Sequence, residues 1–186
     1  CVGVDTRNAN TISGLSDSMI LVSVNTELGT ITFTSIMRDC YAYLQSPSGD
    51  GSFNKINSAF PFYGIDNLID TIEGHFKVRI DGYAMINFAL FKAVIDKFDG
   101  VTVPVKEYEA AYINANYGFN IQSGSAVPLN GDEALAFCRS RKCDNDGDVS
   151  RTRRQRTVLL GLLNKATTIK IAKNFFIVNS FFFFLY

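Results

Sequence analysis

The order of the predicted elements indicates an α/β fold, an α-β-α sandwich built around a central mixed β-sheet. Two observations lead to this prediction. A β-hairpin is predicted near the start of the chain, and two helical stretches further on are each followed by a short apolar strand. With 186 residues, of which 47% are hydrophobic, the chain is long enough to form one domain with a core.

The hairpin is predicted from two stretches rich in apolar and β-branched residues, 18–24 and 30–36, which flank a turn at 25–29. Folding the chain about residue 27 places position 17 opposite position 37. Asp17 and Arg38 are therefore expected to meet at the open end of the hairpin as an oppositely charged pair.

The helices are predicted from apolar residues that recur every three or four positions. The predicted helices are 65–76 and 88–98, and the strands that follow them are 82–86 and 100–105. Beyond these, residues 106–127 are predicted to form an irregular aromatic insertion. A short helix is expected over 130–137, because Asp132 and Glu133 would lie in its first turn, where acidic side chains are favourable.

Residues 139–156 form a strongly charged segment, in which seven arginines and lysines outnumber three aspartates. The whole chain has no net charge, so this excess is local. Arg139 and Arg141 stand two positions apart, and in an extended segment such residues point to the same side. Two guanidinium groups are therefore expected to face one cleft.

A helix is predicted to begin near Arg151, because Ser150 is a good N-cap and apolar residues follow at helical spacing. Arg151 and Gln155 would lie above the buried stripe of this helix, close to its N-terminus, which favours anions. The other arginines of the helix lie off that face and are expected to be solvated: Arg153, Arg154 and Arg156. The alternative is a charged helix start with ordinary surface ion pairs.

Composition argues against two kinds of partner. A net charge of zero and an isoelectric point near 6.8 are not typical of a nucleic-acid-binding domain. The four cysteines form no CxxC pair and the only histidine is His75, which argues against a zinc site.

Because Cys40 and Cys143 each lie two residues beyond a candidate arginine, a disulfide between them is one hypothesis; buried free thiols are the alternative.

The remaining acidic candidates, Asp5 and Asp17, are expected at strand ends, where α/β folds place ligand sites. Mg²⁺ is bound by one or two carboxylates together with substrate phosphate oxygens, and arginine binds the same phosphates by bidentate contacts. We therefore expect two aspartates to bind Mg²⁺ and four arginines to bind a diphosphate: Arg38, Arg139, Arg141 and Arg151.

Several of these residues lie in motifs that resemble those of the LytR-CpsA-Psr family, over residues 1 to about 166. The motifs are Asp5-Thr-Arg, Ser16-Asp-Ser18, Ser35-Ile-Met-Arg-Asp39, Asn54-Lys-Ile-Asn57, Leu129-Asn-Gly-Asp-Glu-Ala-Leu-Ala-Phe137, Arg139-Ser-Arg141 and Asp148-Val-Ser-Arg-Thr-Arg-Arg-Gln155. Several ordered motifs at compatible separations are more specific than any one of them alone.

The resemblance implies an enzyme at the extracytoplasmic face of a bacterial cell membrane, anchored by a segment upstream of this chain. It would move a glycopolymer from a polyprenyl diphosphate carrier to peptidoglycan with Mg²⁺. The implied metal ligands are Asp5 and Asp17, the implied diphosphate ligands are Arg38, Arg139, Arg141, Arg151 and Gln155, and the implied catalytic residues are Arg139, Arg141, Asp148 and Gln155.

Two other functions stay open at this point: a polyprenyl diphosphate pyrophosphatase, and a noncatalytic module that binds polyprenyl phosphate. The resemblance also divides the chain into a catalytic domain over 1–170 and an atypical apolar C-terminal tail over 171–186.

Overall fold

The structure is a computed structural model that describes residues 1–4 and 14–173, with side chains up to residue 167. The chain folds into two compact units, Cys1–Ala89 and Leu90–Tyr186. Both units contain helices and strands, as the α/β prediction requires. Asp5 lies outside the described residues, as do residues 174–186 of the predicted tail.

The first unit contains a four-stranded mixed sheet, which confirms the predicted sheet type. Its strands are β1 (Val2–Val4), β2 (Ser16–Asn25), β3 (Thr30–Ile36) and β6 (Met85–Ile86). They stand in the order β3-β2-β1-β6, in which β2 pairs antiparallel with both β3 and β1, while β1 pairs parallel with β6. The predicted strand 82–86 is thus reduced to its last two residues.

The predicted hairpin is confirmed, with a register one residue away from the expected one. Asn25 pairs with Thr30 and Met19 pairs with Ile36, so position 17 lies opposite position 38 rather than 37. The difference arises because the turn is centred between residues 27 and 28. Continued two residues past the paired positions, this register puts Asp17 across from Arg38.

A second hairpin follows, made of β4 (Tyr41–Gln45) and β5 (Gly51–Lys55). A short 3₁₀ turn, Ile56–Ser58, leads from it into helix α1 (Ala59–Phe76), which is interrupted at Gly64, where φ is +88°. The predicted helix 65–76 is the part after this interruption. The core of the unit is apolar: Val2, Val4, Met19, Ile36, Ala42, Leu44, Ile56, Ala59, Leu68 and Ile72.

The second unit holds most of α2 (Phe88–Lys97), then β7 (Val101–Val105), α3 (Glu107–Tyr117), β8 (Gly124–Leu129), α4 (Gly131–Arg139) and α5 (Gly147–Lys173). Strands β7 and β8 pair antiparallel. The predictions for α2, β7 and α4 are confirmed within one or two residues. The prediction of an irregular insertion over 106–127 is wrong, because that segment forms α3 and most of β8.

Helix α3 forms because its first turn is capped by its own sequence. The Lys106 amide donates to the Glu109 carboxylate at 3.0 Å, and the helix ends at Gly118, whose φ of +74° suits a C-terminal glycine. Ala110 and Ile113 are the buried apolar residues of the helix, one turn apart. The aromatic residues around them mask this helical spacing of apolar residues in the sequence.

Helix α5 packs against β7 through a glycine. A Cβ atom on Gly161 would lie 2.7 Å from a methyl group of Val101 and 2.9 Å from the Thr102 carbonyl oxygen, so a larger residue would push the helix away. The helix begins at Gly147, four residues before Arg151. The prediction of Ser150 as its N-cap is therefore wrong, and Ser150 is buried within the first turns.

The Gly131→Ala substitution is expected to lower the free energy of unfolding by about 1–3 kcal/mol, as overpacking does. The added Cβ would lie 2.6 Å from the Lys92 carbonyl oxygen and 2.8 Å from the Asp96 carboxylate, which accepts a hydrogen bond from the Gly131 amide at 2.7 Å. Urea unfolding measures the change. Gly74→Ala is the matched control, since nothing lies within 4 Å of its Cβ and alanine favours a helix. A loss as large at Gly74 would contradict the packing argument.

Candidate functional site

The first unit carries a chain of ion pairs at the open end of the β2–β3 hairpin, which we call the Arg38 cluster: Asp17, Arg38, Asp39 and Lys55. An Nη atom of Arg38 lies 2.7 Å from Oδ1 of Asp17, which confirms the predicted pair. On its other side, Nε of Arg38 lies 3.6 Å from Asp39, and Asp39 binds Nζ of Lys55 at 2.6 Å. Acidic and basic groups therefore alternate along the cluster.

Three of the sequence motifs meet beside this cluster. The buried Ser16 hydroxyl donates to the Asn57 carbonyl oxygen at 3.2 Å, and the Asn57 amide donates to the Arg38 carbonyl oxygen at 3.3 Å. The Ile56 amide likewise donates to the Cys40 carbonyl oxygen at 2.8 Å. These contacts fix the backbone on both sides of Arg38, so residues of the three motifs have a structural role.

The second unit carries an arginine pair joined by a carboxylate, which we call the Asp148 cluster: Arg141, Asp148 and Arg151. Asp148 accepts a hydrogen bond from Arg151 at 2.9 Å, and its other carboxylate oxygen lies 3.7 Å from Nε of Arg141. The side chain of Arg151 is 3% exposed, whereas that of Arg141 is 42% exposed. Arg141 is thus the accessible cation of the cluster and Arg151 the buried one.

The backbone around the Asp148 cluster differs from the prediction in one respect. Arg139 is the last residue of α4, and Ser140 after it is extended, so the prediction that Arg139 and Arg141 share one extended segment is wrong. Arg139 is exposed. Gln155 lies one helical turn after Arg151 on α5 and is partly buried, as its predicted position on the helix face requires.

Arg154 is a buried residue that the sequence prediction missed. Its side chain is 1% exposed, which contradicts the expectation that it is solvated. It donates hydrogen bonds to Glu109 at 3.0 Å, to Asp144 at 3.2 Å and to the carbonyl oxygen of Ser140. Arg154 therefore ties α3 and the 140–146 loop to α5, and this loop carries Arg141.

Arg154 also influences the ionisable groups around it. Partial burial acts to raise the pKa of Asp144, but hydrogen bonds, one of them from Arg154, outweigh it and lower that pKa. Burial raises the pKa of the Cys138 thiol to about 12, against an opposing effect of the Arg154 charge. All four cysteines are free thiols, so the hypothesis of a Cys40–Cys143 disulfide is wrong.

The raised pKa of Cys138 predicts that its thiol resists alkylation by iodoacetamide at about pH 8.5 in the folded chain and reacts once urea unfolds it. Cys40, which is partly exposed, is the internal control and is expected to react in both states. Mass mapping distinguishes the two sites. Because the folded pKa of Cys138 exceeds the ordinary value of 9.0, its contribution to stability is present below pH 9 and is lost as the pH rises towards 12. Rapid alkylation of Cys138 in the folded chain would contradict the burial.

Within residues 1–4 and 14–173, no group of three or more histidine, cysteine, aspartate or glutamate side chains is arranged around a common metal position. The metal site predicted from the sequence has only two protein ligands, Asp5 and Asp17. Asp17 is a partly exposed carboxylate at a strand end, which suits Mg²⁺, while Asp5 lies outside the described residues. No helix in the same part of the chain meets the length and hydropathy of a membrane-spanning segment.

The fold and the two clusters define a class of protein: an α/β protein that displays arginine–carboxylate clusters suited to binding phosphate groups. The family model described as the LytR_cpsA_psr family matches residues 1–178. The chain therefore belongs to the LytR-CpsA-Psr family, as the motifs indicated.

Several characterised proteins are similar to this chain. A polyisoprenyl-teichoic acid–peptidoglycan teichoic acid transferase, TagU of Bacillus licheniformis, is 35% identical over 94% of this chain and 53% of its own length. The crystal structure of Bacillus subtilis TagT matches 89% of this chain and 62% of that chain, with a TM-score of 0.75 and 30% identity. The chain spans about half the length of the curated relatives it matches.

One further structure is informative about ligands. TagT with bound octaprenyl pyrophosphate lipid matches 90% of this chain and 63% of that chain, with a TM-score of 0.73 and 27% identity. Its bound lipid carries two linked phosphates, the group for which arginine clusters are suited.

Proposed function

We propose that this protein is a phosphotransferase that moves a glycopolymer from a polyprenyl diphosphate carrier to peptidoglycan. The observation that carries the proposal is the Asp148 cluster, in which one carboxylate near the start of α5 is hydrogen-bonded to a buried arginine and lies beside an accessible one. The similarity to TagU and to lipid-bound TagT supports the nature of the substrate.

In the proposed reaction, an acceptor hydroxyl of peptidoglycan attacks the phosphorus that carries the glycopolymer. A new oxygen–phosphorus bond forms and the bond to the second phosphate breaks. The polyprenyl phosphate leaves with the electron pair and takes up the proton that the acceptor hydroxyl releases. Charge builds up on the phosphate oxygens during this step, so fixed cations accelerate it. Arg141 is the accessible cation of the Asp148 cluster and can meet that charge, with Asp148 beside its guanidinium at 3.7 Å.

In this proposal, the other candidate residues bind the same substrate or its metal ion. Arg38, Arg139, Arg151 and Gln155 bind the diphosphate, and Asp5 and Asp17 hold Mg²⁺. Bound Mg²⁺ would neutralise part of the phosphate charge. Asp17 already pairs with Arg38 at 2.7 Å, so metal and arginine would share one carboxylate there. We propose that the reaction takes place at the extracytoplasmic face of a bacterial cell membrane.

The test is to incubate the purified chain with a short-chain prenyl diphosphate oligosaccharide, a peptidoglycan fragment and Mg²⁺, and to analyse the products by mass spectrometry. The proposal expects an oligosaccharide joined to the fragment by a phosphodiester, and loss of this product when EDTA removes the metal. Hydrolysis that releases the oligosaccharide phosphate, without any product joined to the fragment, would identify a pyrophosphatase instead. Binding of the lipid without turnover would identify a noncatalytic module, and either result would overturn the transferase.

A further inference from the structure

The β4–β5 hairpin displays three aromatic side chains on its outward side, which we call the aromatic face: Tyr41, Tyr43 and Phe53. All three are exposed, while Ala42 and Leu44, which alternate with the tyrosines along β4, are buried in the core. The burial of the inner side accounts for the fold of the hairpin. It gives no reason for three large rings on the outer side, and contiguous exposed apolar groups commonly mark a binding surface.

The rings are arranged as a platform. Phe53 stacks on Tyr41 with a centroid separation of 6.2 Å and an interplanar angle of 12°, and it meets Tyr43 edge to face at 5.4 Å. Tyr43 reaches diagonally over Gly51 of the neighbouring strand, where an added Cβ atom would overlap the ring. Gly51 therefore leaves the space that lets the Tyr43 ring lie against the backbone.

The aromatic face adjoins the Arg38 cluster. Lys55 pairs with Tyr41 across the hairpin, and the same Lys55 binds Asp39 at 2.6 Å, which in turn contacts Arg38. A ligand lying across the rings would therefore have one end beside the candidate site residues of this unit.

The charge of the hairpin selects among possible ligands. Residues 41–55 contain one acidic residue, Asp50, and one basic residue, Lys55, which is already paired with Asp39. A polyanionic glycopolymer or an anionic membrane surface calls for excess positive charge, which this hairpin does not have. The remaining exposed side chains are mainly neutral and polar: Gln45, Ser48 and Ser52.

We infer that the aromatic face binds the glycan strand of peptidoglycan, the acceptor of the proposed transfer. The C–H groups on the flat side of a sugar ring are weakly positive and pack on the negative faces of aromatic rings, while neighbouring hydroxyl and amide groups bind its polar edge. This inference rests on the proposed function for the identity of the acceptor. The binding itself requires no turnover.

The experiment measures binding of the purified chain to glycan strands whose lactyl carboxyl groups are amidated, so that the ligand is uncharged, and compares two phenylalanines with nearly equal exposure. Phe53 is 62% exposed on the aromatic face, and Phe62 is 61% exposed on α1, outside that face. Phe53→Ala is expected to weaken binding about tenfold, while Phe62→Ala leaves it within about twofold. Circular dichroism melting confirms that each variant is folded.

Gly51→Ala is a second variant that keeps every aromatic side chain. Its backbone lies outside the positive-φ region, and the contact is with the end of the movable Tyr43 side chain, so the fold is retained while the ring is displaced. It is expected to weaken glycan binding about threefold or more. This variant keeps the inference testable even where Phe53→Ala does not fold.

Equal binding by the wild type and both hairpin variants would overturn the inference, as would an equal loss in Phe62→Ala. Binding to vesicles containing anionic phospholipid that depends on Phe53, with no binding to glycan strands, would overturn it in favour of a membrane contact. Glycan binding that depends on Phe53, in a chain that does not turn over the prenyl diphosphate, would support the inference and overturn the proposed transferase.

Discussion

Replacement of Arg154 by alanine is expected to lower the free energy of unfolding by about 3–5 kcal/mol. Arg154 is 1% exposed and donates to Glu109, whose side chain is 4% exposed, so its removal leaves a buried carboxylate without its cation. The carbonyl oxygen of Ser140 loses a hydrogen bond at the same time. The measurement is equilibrium unfolding in urea at neutral pH.

The matched control for this variant is Arg153→Ala, which removes the same chemical group one residue earlier in α5. Arg153 is 44% exposed and lies 3.8 Å from Asp144, an ion pair of the kind that contributes about 0–1 kcal/mol. Comparable losses of unfolding free energy in the two variants, or a loss below about 1 kcal/mol for Arg154→Ala, would show that the buried Arg154 contacts contribute little to stability.

Replacement of Arg141 by alanine is expected to lower phosphotransfer at least about 100-fold, the cost of removing one fixed group that stabilises charge in a transition state. The free energy of unfolding of this variant is expected to differ from that of the wild type by less than about 1 kcal/mol. The Arg141 side chain is 42% exposed, and its contact with Asp148 is 3.7 Å long. The measurement is turnover of the prenyl diphosphate substrate alongside the melting temperature of the same preparation.

Lys142→Ala is the matched control for Arg141, since it removes a neighbouring exposed cation from the same loop. It is expected to retain turnover within about threefold, because a solvated lysine contributes little fixed charge to a bound phosphate. Equal losses in the two variants would mean that the loop acts through its overall charge. Activity close to the wild type in Arg141→Ala would remove it from the proposed catalytic residues.

The parts of the fold that follow local periodicity could be predicted from the sequence. The β2–β3 hairpin followed from two stretches rich in apolar and β-branched residues, and the meeting of Asp17 with Arg38 followed from folding the chain about the turn between them. The one-residue shift in register arose at the turn, whose centre the residues alone do not fix. Helix α4 was likewise predictable, since Asn130 and Glu133 cap it reciprocally.

The parts that depend on tertiary contacts could not be predicted in this way. Arg154 lies off the apolar face of α5, and helix periodicity alone predicts that it is solvated. Its partner Glu109 is 45 residues away, on a helix hidden by an aromatic-rich sequence. Helix α4 extends to Arg139 and α5 begins at Gly147, and capping signals in the sequence do not fix helix ends to the exact residue.

The proposal that the arginine clusters bind a prenyl-linked diphosphate is tested directly by a ³¹P NMR titration of a short-chain prenyl diphosphate with the purified chain. The wild type is expected to shift both phosphorus resonances. Arg38→Ala and Arg141→Ala are each expected to weaken binding about tenfold or more, while Lys142→Ala binds as the wild type does. Unchanged affinity in both arginine variants, with the chain still folded, would show that the diphosphate binds elsewhere or not at all.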